Sequence, residues 1–149
     1  HDHILWHMDD GTIVAYNDAR RFGMVFMLDS KNINAHESFQ NMGPEPLGNT
    51  FNGPILASAL KHKKVPIKNA LLDQKVVAGV GNIYACEALY LSGISPKRQA
   101  YTVQGKRAER LATAIREVLM KAIAAGGSTL RDYQHTDGSL GYFQHQFSV

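Results

Sequence analysis

Residue types suited to phosphate chemistry gather around a glycine-rich turn in the middle of the chain. The segment VAGVGNIY, residues 77–84, places Gly79 and Gly81 just before Asn82 and an apolar, helix-like stretch. Glycines here let the backbone turn sharply, or let another molecule approach it closely. The amide groups at a helix start carry partial positive charge and bind phosphate. The turn therefore has two candidate roles, a tight connection between helices and an anion site.

Lysines around the turn favour the anion site. Residues 61–75 contain five lysines and one acid: Lys61, Lys63, Lys64, Lys68, Lys75 and Asp73. That balance favours a contact with the DNA backbone over a tight turn without a ligand. Gly-x-Gly turns also occur in dinucleotide-binding proteins, but those require a preceding parallel strand. The stretch PIKNALLDQK before this turn has a helical pattern instead.

Charge is segregated along the 149 residues, whose formal net charge is +3. Residues 1–50 hold seven acids and three bases, a balance of −4, and residues 51–149 hold six acids and thirteen bases, a balance of +7. A basic half suggests a polyanionic partner, nucleic acid first and a membrane surface second. A solvated basic face is the alternative. No apolar run reaches the roughly 18 residues of a membrane span.

Only Cys86 offers thiol chemistry. We therefore expect neither a disulfide framework nor a cysteine-based zinc site in these residues, and we interpret Cys86 as a buried structural thiol. Nothing at the start of the sequence has the pattern of a signal peptide.

The predicted fold class is α+β. Three short antiparallel strands are predicted over residues 3–28, from ILWHM, TIVAY and RFGMVFML. They would form the tail of an N-terminal β-sandwich domain over residues 1–40. The Gly-, Pro- and Asn-rich residues 41–53 are predicted as a linker, and a mainly helical domain follows over residues 54–149.

Two helices near the linker are predicted from proline positions. Pro54 and Pro66 suit the first positions of helices over ILASALKHKK and IKNALLD. The strongest pattern lies between Thr102 and Gly126, where apolar residues follow the i, i+3, i+4, i+7 spacing of one helix face. These residues are Ala108, Leu111, Ala112, Ile115, Val118, Leu119 and Ala122.

The glycine-rich turn leads into a further predicted helix over about residues 82–92. Asn82 is the candidate N-cap, because it is the polar residue that ends the turn. Ile83, Cys86 and Tyr90 share one face of this helix at the expected spacing, and Ala85, Ala88 and Leu89 extend that face.

Six segments, in order and spacing, resemble bacterial formamidopyrimidine-DNA glycosylase. They are DARRFG at 18–23, GPEPL at 43–47, GVGNIYACEALY at 79–90, SGISP at 92–96, GGSTLRDY at 126–133 and DGSLGYFQHQFSV at 137–149. The resemblance spans essentially the whole chain. It implies a DNA repair enzyme that excises oxidised purines, such as 8-oxoguanine and formamidopyrimidines, and then cuts the abasic strand. It also implies that the helical domain is a helix-two-turn-helix module.

The family's catalytic Pro-Glu pair and its four-cysteine zinc finger match no position of this sequence. The resemblance therefore implies an internal fragment with no catalytic residue of its own, inactive in isolation. We expect no cofactor or metal in this chain, although the full-length family carries one structural zinc.

The resemblance also implies DNA contacts along the helical domain. Asn82, with Gly81 beside it, would bind a phosphate next to the extruded nucleotide, and Lys68 would lie near the lesion. Lys63 or Lys64 would hold the DNA backbone and Tyr142 would contact a phosphate through its hydroxyl. Outside the helical domain, His1 matches another position that contacts DNA.

Arg20 and Phe22 have a different implied role, in the space left when the damaged base swings out. The arginine would meet the orphaned cytosine, and the phenylalanine would wedge the base stack. A loop over about residues 126–142, with Ser128, Thr129 and Tyr133, would close over the oxidised base.

The implied partner is damaged double-stranded DNA, bound by a monomer in the bacterial cytoplasm at the nucleoid, with no membrane. Two alternatives stay open. An endonuclease VIII-type glycosylase for oxidised pyrimidines shares the GVGN turn, although DARRFG and GGSTLRDY favour the purine enzyme. A non-catalytic DNA-binding module is the other.

Overall fold

The computed structural model describes residues 1–126. The chain divides into two compact units, residues 1–36 and the residues from 37 onward. The predicted linker, residues 41–53, belongs to the second unit.

The first unit is built on one antiparallel hairpin. Strand β1 (Asp2–His7) pairs with strand β2 (Ile13–Asn17), with Leu5 opposite Ala15 and Trp6 opposite Val14. The turn between them uses Gly11, whose φ of +83° is left-handed. A 3₁₀ helix (Ser30–Ala35) follows, and the Asp29 side chain caps it by accepting a hydrogen bond from the Lys31 amide.

The prediction of a third strand is wrong for this unit. In the described part of the chain the sheet has two strands, and residues 21–28 form neither helix nor strand. Asp18 accepts hydrogen bonds from the Arg21 and Gly23 amides, and Arg21 has a φ of +57°. Both features turn the backbone out of the extended path that a ladder requires. The apolar side chains of this stretch are exposed, with Phe22 at 75% and Met27 at 100%.

The second unit is helical. Its elements are α1 (Glu37–Gln40), α2 (Gly53–Leu60), α3 (Ile67–Leu72), α4 (Asn82–Leu91), a 3₁₀ helix (Ala100–Thr102) and α5 (Lys106–Ala124). α5 packs against α2 and α4, and α3 packs against α4. The predicted apolar face of α5 is buried except for Leu119, which is half-buried. No helix in residues 1–126 has the length and apolar character to cross a bilayer.

The helix starts follow local sequence signals with one-residue differences. Pro54 lies in the first turn of α2, and the Asn52 side chain caps this helix by accepting a hydrogen bond from the Ile55 amide at 3.0 Å. Pro66 is the N-cap of α3 rather than its first residue. Gly126, with φ +72°, follows the end of α5.

The predicted apolar face of α4, which Ala85, Ala88 and Leu89 extend, is buried only in part. The helix buries Ala85, Ala88 and Leu89, whereas Tyr90 is 62% exposed and Cys86 is half-buried. A nearly uniform distribution of apolar residues around α4 explains the error, because such a helix presents no single apolar stripe to read.

Residues 41–53 pack onto the helices. The Gly43 amide donates to the Gln74 carbonyl at 2.8 Å. The Arg116 side chain on α5 donates through Nη2 to the carbonyl oxygens of Gly48 and Phe51, the latter at 2.7 Å. Phe51 itself is 2% exposed. This segment therefore forms part of the core that holds α4 and the turn before it.

Candidate nucleic-acid interface

The turn before α4 is held by buried valines on one side and by a glutamine on the other. Val76, Val77 and Val80 are buried. The Gln74 side chain accepts a hydrogen bond from the Gly79 amide, with 2.7 Å between Gly79 N and Gln74 Oε1. Gly79 has φ +74°, a conformation that glycine adopts without strain.

α4 begins at Asn82, and its N-cap is Gly81, which provides no capping side chain. The prediction of Asn82 as the N-cap is therefore wrong. Gly81 is the last residue with extended backbone, at φ −95° and ψ 178°, and an N-cap residue must be non-helical. Asn82 is exposed on the first turn of the helix. Its carboxamide is therefore available to a ligand rather than used as a cap.

No neighbouring atom in the described part of the chain requires glycine at position 81. Its φ is ordinary for any residue, and a Cβ added there would meet no heavy atom within 4 Å. Gly43 is different, because a Cβ there would lie 2.7 Å from the Val76 carbonyl carbon. The space at Gly81 lies in front of a helix N-terminus, which attracts anions. This arrangement can bind a phosphate group through the helix start and Asn82.

The lysines before the turn differ in how their charges are used. Lys63 Nζ lies 2.6 Å from Asp73 Oδ2. This hydrogen bond, with a second from the Lys75 amide, lowers the pKa of the Asp73 carboxyl. Lys64 is exposed and Lys68 is half-buried, and neither forms an ion pair within the described residues. Of the predicted lysine contacts, Lys64 and Lys68 are therefore available to an anion, whereas Lys63 is engaged by Asp73.

In the first unit, the Asp18 carboxylate organises the loop over residues 18–23. Oδ1 accepts a hydrogen bond from the Arg21 amide at 2.8 Å, and Oδ2 accepts one from the Gly23 amide at 2.7 Å. The Tyr16 hydroxyl also donates to Oδ2, at 3.2 Å. The Gly23 amide is the largest of the causes that lower the pKa of Asp18. A Cβ on Gly23 would overlap the Tyr16 hydroxyl, so a larger residue there requires the Tyr16 side chain or the loop to shift.

Arg20 and Phe22 lie on this loop as a pair. The guanidinium carbon of Arg20 is 4.6 Å from the centroid of the Phe22 ring, a distance at which a cation is attracted to an aromatic face. Phe22 is 75% exposed. An exposed apolar ring beside a cationic donor has the chemistry needed to fill a gap in a base stack.

Of the other predicted site residues, only His1 lies among the described residues. His1 is exposed, and its carbonyl accepts a hydrogen bond from the Asp18 amide at 3.2 Å. Tyr142 and the predicted lesion-loop residues Ser128, Thr129 and Tyr133 lie outside the described residues.

The surroundings of Cys86 are mainly apolar. Cys86 is half-buried, less than the buried thiol predicted, and lines a cavity of about 390 Å³ with mainly apolar neighbours. Among residues 1–126, no group of three or more His, Cys, Asp or Glu is placed to hold a metal ion.

Sequence reasoning missed Gln74 and Asp18, which position the two candidate contact regions. Asp18 had a readable signal, because aspartate commonly bonds backbone amides a few residues ahead in a turn. Gln74 had none, since its bond to Gly79 depends on how the whole turn folds back.

Comparison with known proteins now decides the family. The model of the formamidopyrimidine-DNA glycosylase H2TH domain matches residues 42–134, more than half of the chain. The chain belongs to this family. The match covers the turn, α4 and the lysine segment before them.

Relatives of known name agree with the family. The formamidopyrimidine-DNA glycosylase of Chelativorans sp. (strain BNC1) is 54% identical over 159 residues, covering 100% of this chain and 54% of that protein. The crystal structure of the MutM (Fpg) protein from Thermus thermophilus matches with a TM-score of 0.89 and 40% identity, over 98% of this chain and 55% of that one. A structure of MutM in complex with DNA containing carbocyclic 8-oxo-G matches with a TM-score of 0.86 and 34% identity, over 100% and 54%.

The chain spans about half the length of the curated relatives it matches. Family membership and fold are therefore established, while the activity of the longer proteins is a matter for proposal.

Proposed function

We propose that the chain binds damaged double-stranded DNA as part of a base-excision repair glycosylase that acts on oxidised purines, 8-oxoguanine and formamidopyrimidines. The observation that carries the proposal is the start of α4, where Gly81 leaves open space in front of an uncapped helix. Phosphate is the anion that suits this geometry, because backbone N–H groups and the helix dipole act together. The 8-oxo-G-containing DNA in the MutM complex supports the choice of lesion.

The proposal assigns DNA binding to these residues, and does not assign strand cleavage to them. Asn82 holds a phosphate at the helix start, Lys68 and Lys64 contribute charge, and Arg20 with Phe22 enters the gap left by the extruded base. Extruding a base costs a few kcal/mol of stacking and pairing, so an inserted ring and cation offset part of that cost. The glycosylase and abasic-site lyase steps are those that the family resemblance implies. The Pro-Glu pair that would catalyse them matches no position of this sequence. We propose that the residues present act without a cofactor.

Substituting Asn82 tests the grip. Asn82→Ala keeps the helix, since Asn82 is exposed and alanine is the best helix former. We expect its affinity for a duplex with a central 8-oxoguanine to fall about 10- to 150-fold, the loss of one hydrogen bond to a charged group at about 1.5–3 kcal/mol. Asn49→Ala, another exposed asparagine, is the matched control and should bind like the wild type. Equal affinities for the two variants would refute the grip at α4.

Lesion choice and chemistry need separate measurements. Binding to 8-oxoguanine and to oxidised-pyrimidine duplexes should differ in favour of the purine, and the reverse order would support the endonuclease VIII-type alternative. Borohydride trapping on the 8-oxoguanine duplex should yield no cross-linked species, because no amine nucleophile is assigned here. A trapped species would contradict the assignment of grip without cutting.

A further inference from the structure

Two separated basic segments are joined side by side in the second unit. Residues 63–68 and 96–101 run antiparallel, with Pro66 and Gln99 paired as an isolated bridge. Four backbone hydrogen bonds connect the segments: Lys68 N to Pro96 O at 3.3 Å, Ile67 N to Arg98 O at 2.7 Å, Ala100 N to Val65 O at 2.9 Å and Tyr101 N to Lys63 O at 3.1 Å. This ladder fixes the loop KHKK, residues 61–64, against the 3₁₀ helix at Ala100–Thr102.

A surface cavity of about 530 Å³ lies at the KHKK end of the ladder. Every side chain that lines it can donate a hydrogen bond, and none is a carboxylate. The lining residues are Lys61, His62, Lys64, Gln99 and Tyr101. Two ammonium groups, an imidazole, an amide and a phenol form a donor set suited to an oxyanion.

Structural needs of the fold account for only part of this charge. Lys61 is the C-cap of α2, where a cation favours the helix dipole. Lys63 is paired with Asp73. Lys64 has neither role, and neither Lys61 nor Lys64 has an ion pair among the described residues. Like charges held together around a cavity repel, and an anion between them removes that cost.

We propose that this cavity is a second phosphate subsite, which binds the DNA backbone on one flank of the damaged site. The subsite rests on the proposed function and extends it beyond the start of α4. The Cα atoms of Lys64 and Lys68 are at most about 14 Å apart along the chain. Phosphates recur about every 3.4 Å of helix axis along one strand, so the cavity reaches a phosphate within about four of the one that Lys68 meets.

The test combines phosphate counting with mapping. The double variant Lys61→Gln, Lys64→Gln is compared with Lys106→Gln, Lys121→Gln, which removes two exposed lysines of α5 and changes the net charge equally. The DNA is a duplex of about 20 base pairs, two helical turns, with a central 8-oxoguanine. Binding is measured over a salt series, and ethylation interference identifies the phosphates whose modification blocks binding.

The subsite variant should lower the slope of log K against log salt by about 0.9, the contribution of the one phosphate contact that the subsite makes. It should also lose interference at one end of the run of contacted phosphates and keep the centre. The control should retain both slope and footprint. A subsite variant that behaves like the control would overturn the proposal.

Two further outcomes are distinguishable. If Asn82→Ala and the wild type bind equally, the proposed function fails at α4, whereas loss of outer phosphates alone still supports the subsite. Inorganic phosphate provides the other arm, followed by NMR of the Gln99 and Tyr101 amides. The wild type could bind inorganic phosphate saturably while the Lys61→Gln, Lys64→Gln variant keeps the same contacted DNA phosphates as the wild type. That result would assign the cavity to a free anion and overturn its role in DNA binding.

Discussion

The loop at residues 18–23 and the turn before α4 each contain a glycine, Gly23 and Gly81, whose surroundings differ. At Gly23 the constraint comes from the protein itself, because the Tyr16 hydroxyl occupies the place of the missing Cβ and must move to admit a larger residue. Gly81 faces open space and has an ordinary φ. One loop is closed by an internal carboxylate, and the other ends in a helix start without a side-chain cap.

The two regions therefore offer different chemical groups to a nucleic acid. In the Asp18 loop the Arg21 and Gly23 amides bond to the Asp18 carboxylate, and the exposed side chains of Arg20 and Phe22 are the groups that we propose contact DNA. The α4 start offers backbone and a short polar side chain, which suit phosphate and carry no base information. We therefore expect the first region to affect recognition at the damaged pair, and the second to affect affinity for any duplex.

The largest expected effect is at Gly23. Gly23→Ala forces the Tyr16 side chain or the loop to move, which breaks the hydrogen bond from the Gly23 amide to Asp18. Amide exchange at Arg21 and Gly23 should accelerate more than about tenfold, the equivalent of 1.4 kcal/mol. Adding Tyr16→Phe removes the clashing hydroxyl and should restore most of the protection. A double variant as unprotected as Gly23→Ala would show that the hydroxyl is not the obstacle.

An intermediate effect is expected from pH. The pKa of Asp18 is lowered from 3.8 in the folded state, so its hydrogen bonds stabilise the loop fully above about pH 4. That contribution is lost as pH falls through the lower folded pKa. The Gly23 amide shift, followed by NMR, should titrate below pH 4.

The Gly79 amide is the matched reference for this titration, because it is held by the uncharged Gln74 side chain. It should shift little over the same range. In Asp18→Asn the Gly23 titration should disappear. Persistence of that titration in the variant would assign it to another group.

The smallest effect is expected at Gln74. Gln74→Ala removes the acceptor for the Gly79 amide, a hydrogen bond worth about 0.5–1.5 kcal/mol. Duplex affinity should fall less than in Asn82→Ala, since the buried valines still hold the turn. Isothermal calorimetry measures the duplex affinity, and thermal melting measures the change in stability. A loss of affinity larger than that of Asn82→Ala would make Gln74 a contact rather than a support.

Much of the helical unit follows from local sequence signals. Pro54 and the spacing of Leu111, Ile115 and Val118 predict α2 and α5, because helix periodicity and proline placement are local properties. The third strand was not predictable from alternation at residues 22–28. Alternation identifies faces, but a ladder also needs a pairing edge and an extended backbone, and Asp18 diverts the backbone just before this stretch.

The candidate site was predictable in its chemistry more than in its geometry. Glycines, Asn82 and lysines indicated a phosphate site, yet the position of the N-cap depended on which residue remained extended. Lys63 illustrates the same limit. Its neighbours in sequence are basic, and only the folded chain places Asp73 within 2.6 Å of its ammonium group.

The central claim is that a DNA phosphate occupies the space in front of Gly81, and Gly81→Ala tests it most directly. No heavy atom lies within 4 Å of the added methyl group. The free energy of unfolding, measured by thermal melting, should therefore change by less than about 1 kcal/mol. Duplex affinity, measured by fluorescence anisotropy, should fall at least about tenfold, because the methyl group occupies the phosphate's position. A folded Gly81→Ala protein with wild-type affinity would contradict the account.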